Sequence, residues 1–280
     1  DTFGDLVTYP TITKVRAATP GKTRVLRRDG AKGSVRLPSG QDSWLPWLEG
    51  AQPTSTRLTL ADLCLRLSCG VATGADGVFV RPVEGLDQGL RRFAYPTIAG
   101  RELTPATVDL PRRFVMLIPY DENGRLLPVD ELGALGRYLR QGEVRARLLS
   151  RTCVKRKPWY AFHETPPLQD ILRPKILCKD IVETPQFWID RDGEIVPRHS
   201  VYYIVPREPT AIDPIANYLE SPAAQDWLAR NCQRAAKGFL RLQSRVLQRL
   251  PIPDNVARAA GGRPTSSARS RPLQTQLSVR

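Results

Sequence analysis

Along this 280-residue chain the apolar positions follow two spacings. Alternation with a period of two predicts strands over residues 78–83, 114–120, 158–163, 174–181, 187–190 and 200–205. Steps of three and four predict helices over 129–141, 144–151 and 213–237. A shorter helix is expected at LADLCLRL, residues 60–67, with Thr59 as its cap and Asp62 three positions later closing a capping box. DENG at 121–124 and DRDG at 190–193 are turn sequences. Helices and strands follow one another without regular βαβ alternation, which predicts an α+β fold of mixed or antiparallel strands with several helices.

The pattern also divides the chain. Residues 1–37 hold two β-like runs, LVTYPTITKV and TRVLRR, about a turn at Pro20 and Gly21. Residues 38–57, rich in Gly, Pro and Ser around Trp44 and Trp47, read as a linker, and 58–253 as the main folded unit. From 230 to 249 the cations Arg230, Arg234, Lys237, Arg241, Arg245 and Arg249 recur at steps of three or four opposite an apolar arc. A continuous helix there would be basic and amphipathic, unless Gly238 ends one helix and starts another. Residues 254–280 carry five arginines against one acid among Gly, Pro and Ser, the composition of a disordered basic tail.

Charge changes the picture most. Lys and Arg total 42 against 28 Asp and Glu, for a net charge of +14 and a pI near 10.0, which favours polyanionic partners, nucleic acid before an anionic membrane surface. Residues 137–160 hold eight basic residues and one acid, Glu143, and so carry half of that net charge. Within RTCVKRKPWYAFHE, residues 151–164, the cations run into Trp159, Tyr160 and Phe162. Cations neutralise phosphates and flat rings support bases, so the pairing points to nucleic acid. The plainer reading is a strand with Trp159 and Ala161 turned inward behind a solvated basic loop.

Other chemistry is scarce. Five scattered cysteines, none in a C-x-x-C pair, and two histidines make a zinc site improbable and fit reduced thiols in the cytosol. No apolar run reaches the roughly 18 residues that span a bilayer, and DTFGDLVTYP is not a signal peptide. With no initiator Met, the chain reads as a piece of a longer protein. Gly70, Gly74 and Gly77 lie between a helix and a strand, the reverse of a phosphate cradle. No lysine has an acid two positions before it, as metal-dependent nucleases of the PD-(D/E)xK class require. Cys153 and His163 lack any mark of an oxyanion hole. Asp190, Asp192 and Glu194 could hold a cation, but a hairpin turn accounts for them with less.

An ordered set of segments carries a family resemblance. GVATGADGVFV (70–80), YPTIAGREL (95–103), LIPYDENGRL (117–126), RYLRQGEVRARLLSR (137–151), KPWYAFHE (157–164), RPKILCKDI (173–181) and FLRLQSRVLQRLPIP (239–253) together resemble the C-terminal target-recognition region of adenine-specific DNA methyltransferases of restriction-modification and phage-defence systems. VTYPTITKV, 7–15, looks like the last strand of the methyltransferase domain that precedes that region, so residues 1–37 would be its remnant. The resemblance implies sequence-specific binding of double-stranded DNA beside a catalytic domain or subunit, and company with restriction or defence subunits. S-adenosylmethionine would bind in that other domain, and no cofactor here. The family's Asn/Asp/Ser-Pro-Pro-aromatic motif is matched only by Thr165-Pro166-Pro167-Leu168, whose Thr and Leu are wrong for holding a flipped adenine, so no catalytic residue is assigned.

On this reading Arg145, Arg147, Arg151, Lys155, Arg156, Lys157, Lys175, Lys179, Lys237 and Arg241 meet phosphates. Thr73, Asp76, Trp159 and Tyr160 reach base edges or support a distorted duplex. The alternative is a non-catalytic interaction or specificity subunit whose basic face binds an acidic protein.

Overall fold

In the computed structural model, residues 21–26, 30, 32–37, 44, 58–235 and 238–261 are described. The run LVTYPTITKV, Trp47 and most of the linker, Lys237, and residues 262–280 lie outside them.

The centre is a four-stranded antiparallel sheet in the order Phe187–Asp190, Lys175–Lys179, Val201–Pro206, Cys64–Cys69. Side chains alternate across a strand, and here both faces are covered. Leu177, Trp188, Val201, Tyr203 and Val205 face a first core with Phe79, Met116, Leu135 and Phe162. Ile176, Cys178, Ile204, Cys64 and Leu67 face a second core with Ile215, Leu219, Leu228 and Leu247. Burial on both sides explains why KILC and VYYIV are almost unbroken apolar runs. Each fully buried Leu or Ile contributes about 1.5–3 kcal/mol. Tyr203 is sealed in the first core, and Arg66 Nε donates to its hydroxyl at 3.1 Å.

A second four-stranded sheet, in the order Val196–Pro197, Ala94–Ile98, Phe114–Leu117, Val80–Pro82, packs its apolar residues into the first core. Its first pair is parallel and the others antiparallel. The helices Ile212–Leu219 and Pro222–Asn231 cover the second core. The architecture is α+β.

Several elements depart from the spacing. The expected strand 158–163 is irregular. The Ala161 N–H donates to the Pro158 carbonyl and the Phe162 N–H to the Tyr120 hydroxyl. With those donors engaged no ladder forms, and Tyr160, Ala161 and Phe162 are buried in succession. Thr59 and Asp62 do cap a helix, the Asp62 carboxylate accepting from the Thr59 N–H and hydroxyl at 2.8 Å, but it is a single turn, Leu60–Leu63. The rest of LADLCLRL joins the central sheet as Cys64–Cys69. Residues 76–79 form a helical turn before a shortened strand, Val80–Pro82.

The expected helix 213–237 is broken at Ser221, whose hydroxyl accepts from the Ala224 N–H, with Pro222 at the first helical position. The basic amphipathic helix over 230–249 is not formed. Gln233–Arg234 and Leu240–Arg241 are strands about Gly238, whose φ is 82°, followed by a helical turn, Ser244–Leu247. Composition placed residues 254–259 in the tail, yet Asp254–Ala259 is a helix that buries Ala257 in the second core.

Candidate nucleic-acid interface

The site is built on the loop after the Cys64–Cys69 strand. At Gly70 a Cβ would overlap the carbonyl oxygens of Pro197 and Arg198, so this glycine lets two chain segments touch. The Ala72 and Thr73 carbonyls accept from the N–H groups of Glu164 and His163, at 3.2 Å each. Gly74 turns the chain with φ 71°. Thr73 is fully buried, its hydroxyl donating to Asp76 Oδ1 at 2.5 Å and accepting from the Ala75 N–H at 3.0 Å.

Arg151 locks the loop to its neighbours. Its guanidinium donates to the carbonyls of Thr73 at 2.9 Å, Trp159 at 2.7 Å and Leu148 at 3.1 Å, and lies 5.8 Å from the Phe79 ring centre. Burial pulls its pKa below the ordinary arginine value. Arg151 was expected on a phosphate; its donors instead brace three chain segments. Lys157 Nζ likewise donates to the His163 carbonyl at 2.8 Å. Tyr160, expected at a base, is 7% exposed and donates its hydroxyl to the Leu127 carbonyl at 2.8 Å.

Around this brace stand outward cations. Arg145 and Arg147 are exposed on the Gly142–Leu149 helix, and Lys155 and Arg156 are exposed just beyond it. Among the described residues none of the four is in an ion pair. Half-buried Trp159 sets its ring edge against Tyr160 at 5.4 Å, with the Arg145 guanidinium 5.6 Å from its centre. Exposed Arg81, which charge counting missed because it stands alone in VFVRP, is 5.9 Å from the Tyr138 ring. Arg81 and Arg147 both pull the Tyr138 pKa down, against the dominant upward push of burial.

The other expected contacts are placed elsewhere. Lys175 is 0% exposed and paired with Asp190 at 2.5 Å, so it cannot reach a phosphate; burial pulls its pKa down while Asp190 opposes the shift. Asp190 also accepts from the N–H groups of Gly193 and Ile195, while Asp192 and Glu194 pair with Arg112. The three acids thus serve a turn and a surface pair. Arg241 lies 3.5 Å from Asp180, beside half-buried Lys179. Arg230 pairs with Asp226, and Arg234 donates to the carbonyls of Ala229 and Gly238. Arg230, Arg234 and Arg241 of the second cationic arm are therefore held by local contacts.

Among the described residues no group of three or more His, Cys, Asp or Glu is placed to hold a metal ion, and no helix is long and apolar enough to cross a membrane. All five cysteines are unbridged; burial raises the Cys64 and Cys232 thiols to about 12. In Thr165-Pro166-Pro167-Leu168 the last residue is 1% exposed and belongs to the first core.

No protein-family model matches the chain. Over 259 residues it is 30% identical to the Type II methyltransferase M.PaeR7I of Pseudomonas aeruginosa, a match covering 90% of this chain and 42% of that protein. With M.XhoI of Xanthomonas vasicola, also a Type II methyltransferase, identity is 25% over 197 residues, 70% of this chain and 35% of the relative. The fold matches part of the Type IIL restriction-modification enzyme MmeI, solved in complex with DNA, with a TM-score of 0.50 and 12% identity over 80% of this chain and 29% of that one. The chain spans less than half the length of these relatives. The chain is related in sequence to part of type II methyltransferases, and it shares its fold with part of a Type IIL restriction-modification enzyme.

Proposed function

We propose that this chain binds duplex DNA as the target-recognition part of an adenine-specific, S-adenosylmethionine-dependent methyltransferase of a restriction-modification or defence system. The observation that carries the reading is the placing of Arg145 at Trp159 and of Arg147 beside Gly77, with Lys155 and Arg156 exposed just before Trp159 in the chain, none of the four in an ion pair among the described residues. The relatives' methyltransferase names, the DNA held by MmeI and the ordered motifs support it.

The cations neutralise phosphates and fix the register of the duplex, and the turn and Trp159 lie where base edges would come. Arg151 and Lys157 hold that surface in shape from beneath. Transfer of the methyl group falls to a catalytic domain or subunit, so the isolated chain is expected to transfer no label from S-adenosylmethionine to DNA.

Duplex binding measured across a salt series tests the reading. Four engaged cations give a log–log slope of about −4. Alanine at Arg145, Arg147, Lys155 and Arg156 together should flatten it. A salt-independent titration rejects the proposal, and polyglutamate competing as well as duplex favours an acidic protein partner.

A further inference from the structure

Asp76 is out of place on a surface that meets phosphates, because its carboxylate repels them. Among the described residues it makes no ion pair, although Arg147 and Arg151 flank its loop. The Arg151 donors go to carbonyls. Among the described residues Asp76 is hydrogen-bonded only through Oδ1, by the hydroxyl of fully buried Thr73 at 2.5 Å. That hydroxyl accepts from the Ala75 N–H, so its single proton is directed at Asp76 and tethers Oδ1.

Asp76 is half-buried, with a glycine next to it in the chain. Gly77 is exposed, and the nearest atom to a Cβ built there would be Arg147 Nη1, at 3.9 Å. Gly74 holds φ 71°, and a Cβ there would press on the His163 Cβ at 3.2 Å. In Thr73-Gly74-Ala75-Asp76-Gly77 only Asp76 carries a charge, and the residues beside it are small, so a base edge can approach it.

We propose that Asp76 is a base-reading residue whose Oδ2 accepts a hydrogen bond from the exocyclic amino group of cytosine or adenine in the major groove, with Thr73 as its positioning residue. A carboxylate only accepts, and those amino groups are the donors that the major groove displays; guanine and the thymine O4 present acceptors and are repelled. The inference rests on the reading that this surface binds duplex DNA.

Selection of the 280-residue chain on a duplex pool randomised over the bound site tests it, alongside thermal unfolding and the salt slope of each variant. The wild type should enrich A or C at one position. Asp76→Ala should lower that preference roughly ten-fold with the salt slope unchanged. Asp76→Asn keeps the shape and the Thr73 bond, and should change which base is enriched there. Thr73→Val should weaken the preference without altering the slope, and Thr73→Ser should restore it. If Asp76→Ala does not fold, Asp76→Asn decides the matter alone. A wild type that binds in a salt-dependent way without base preference, or an Asp76→Asn variant with wild-type preference, overturns this inference and leaves duplex binding standing. A wild type with no salt-dependent binding overturns both.

Discussion

At the scale of single residues, equal charges perform different work. Arg151 and Arg156 belong to one basic run, yet Arg151 satisfies three carbonyls and Arg156 is exposed. Arg151→Ala should cost about 2 kcal/mol in urea unfolding, because it strips a charged donor from half-buried carbonyls. Arg151→Lys should recover little, since an ammonium cannot reproduce the fork. Lys155→Ala with Arg156→Ala should change stability by no more than about 0.5 kcal/mol while weakening duplex binding. The sequence shows both residues as cations. What it hides is that the Thr73 carbonyl, 78 residues away in the chain, comes to one of them.

At the scale of elements, spacing was legible in short apolar runs that end up as strands. Phe187–Asp190, Phe114–Leu117 and Val201–Pro206 lie where the alternation puts them. LADLCLRL defeats the spacing because leucine suits either form, and pairing with Val201–Pro206 decides the matter after one turn. The cations from 230 to 249 mimic a helix face only on paper: Leu240, Leu242, Leu247 and Leu250 are all buried, through a strand and turns. The ion pairs of Arg230 and Arg241 are local, so Arg230→Ala and Arg241→Ala should leave the salt slope of duplex binding unchanged. In the central sheet, Ile176→Ala and Leu177→Ala should each cost about 2–5 kcal/mol in denaturant unfolding, because neighbours on one strand fill different cores. A sheet with one wet face would show one costly position and one cheap one.

For the molecule as a whole, the α+β class and the basic surface could be read from the sequence, but only in outline. Charge counting gave the outward cations, Arg145, Arg147, Lys155 and Arg156, together with the inward ones, Arg151 and Lys175, since burial leaves no trace in a residue count. Arg81 escaped for the opposite reason: a solitary cation makes no run, and only folding sets it beside Tyr138. The sheet shared by two cores couples the halves of the molecule mechanically. Neither half can melt without uncovering one side of the same strands, so damage at Leu228 or Leu247 should lower the amount of native protein and leave the salt slope of the proposed duplex binding intact. Under deuterium exchange, the amides of Ile176, Leu177, Tyr203 and Ile204 would then be the last to take up label, whichever side is weakened.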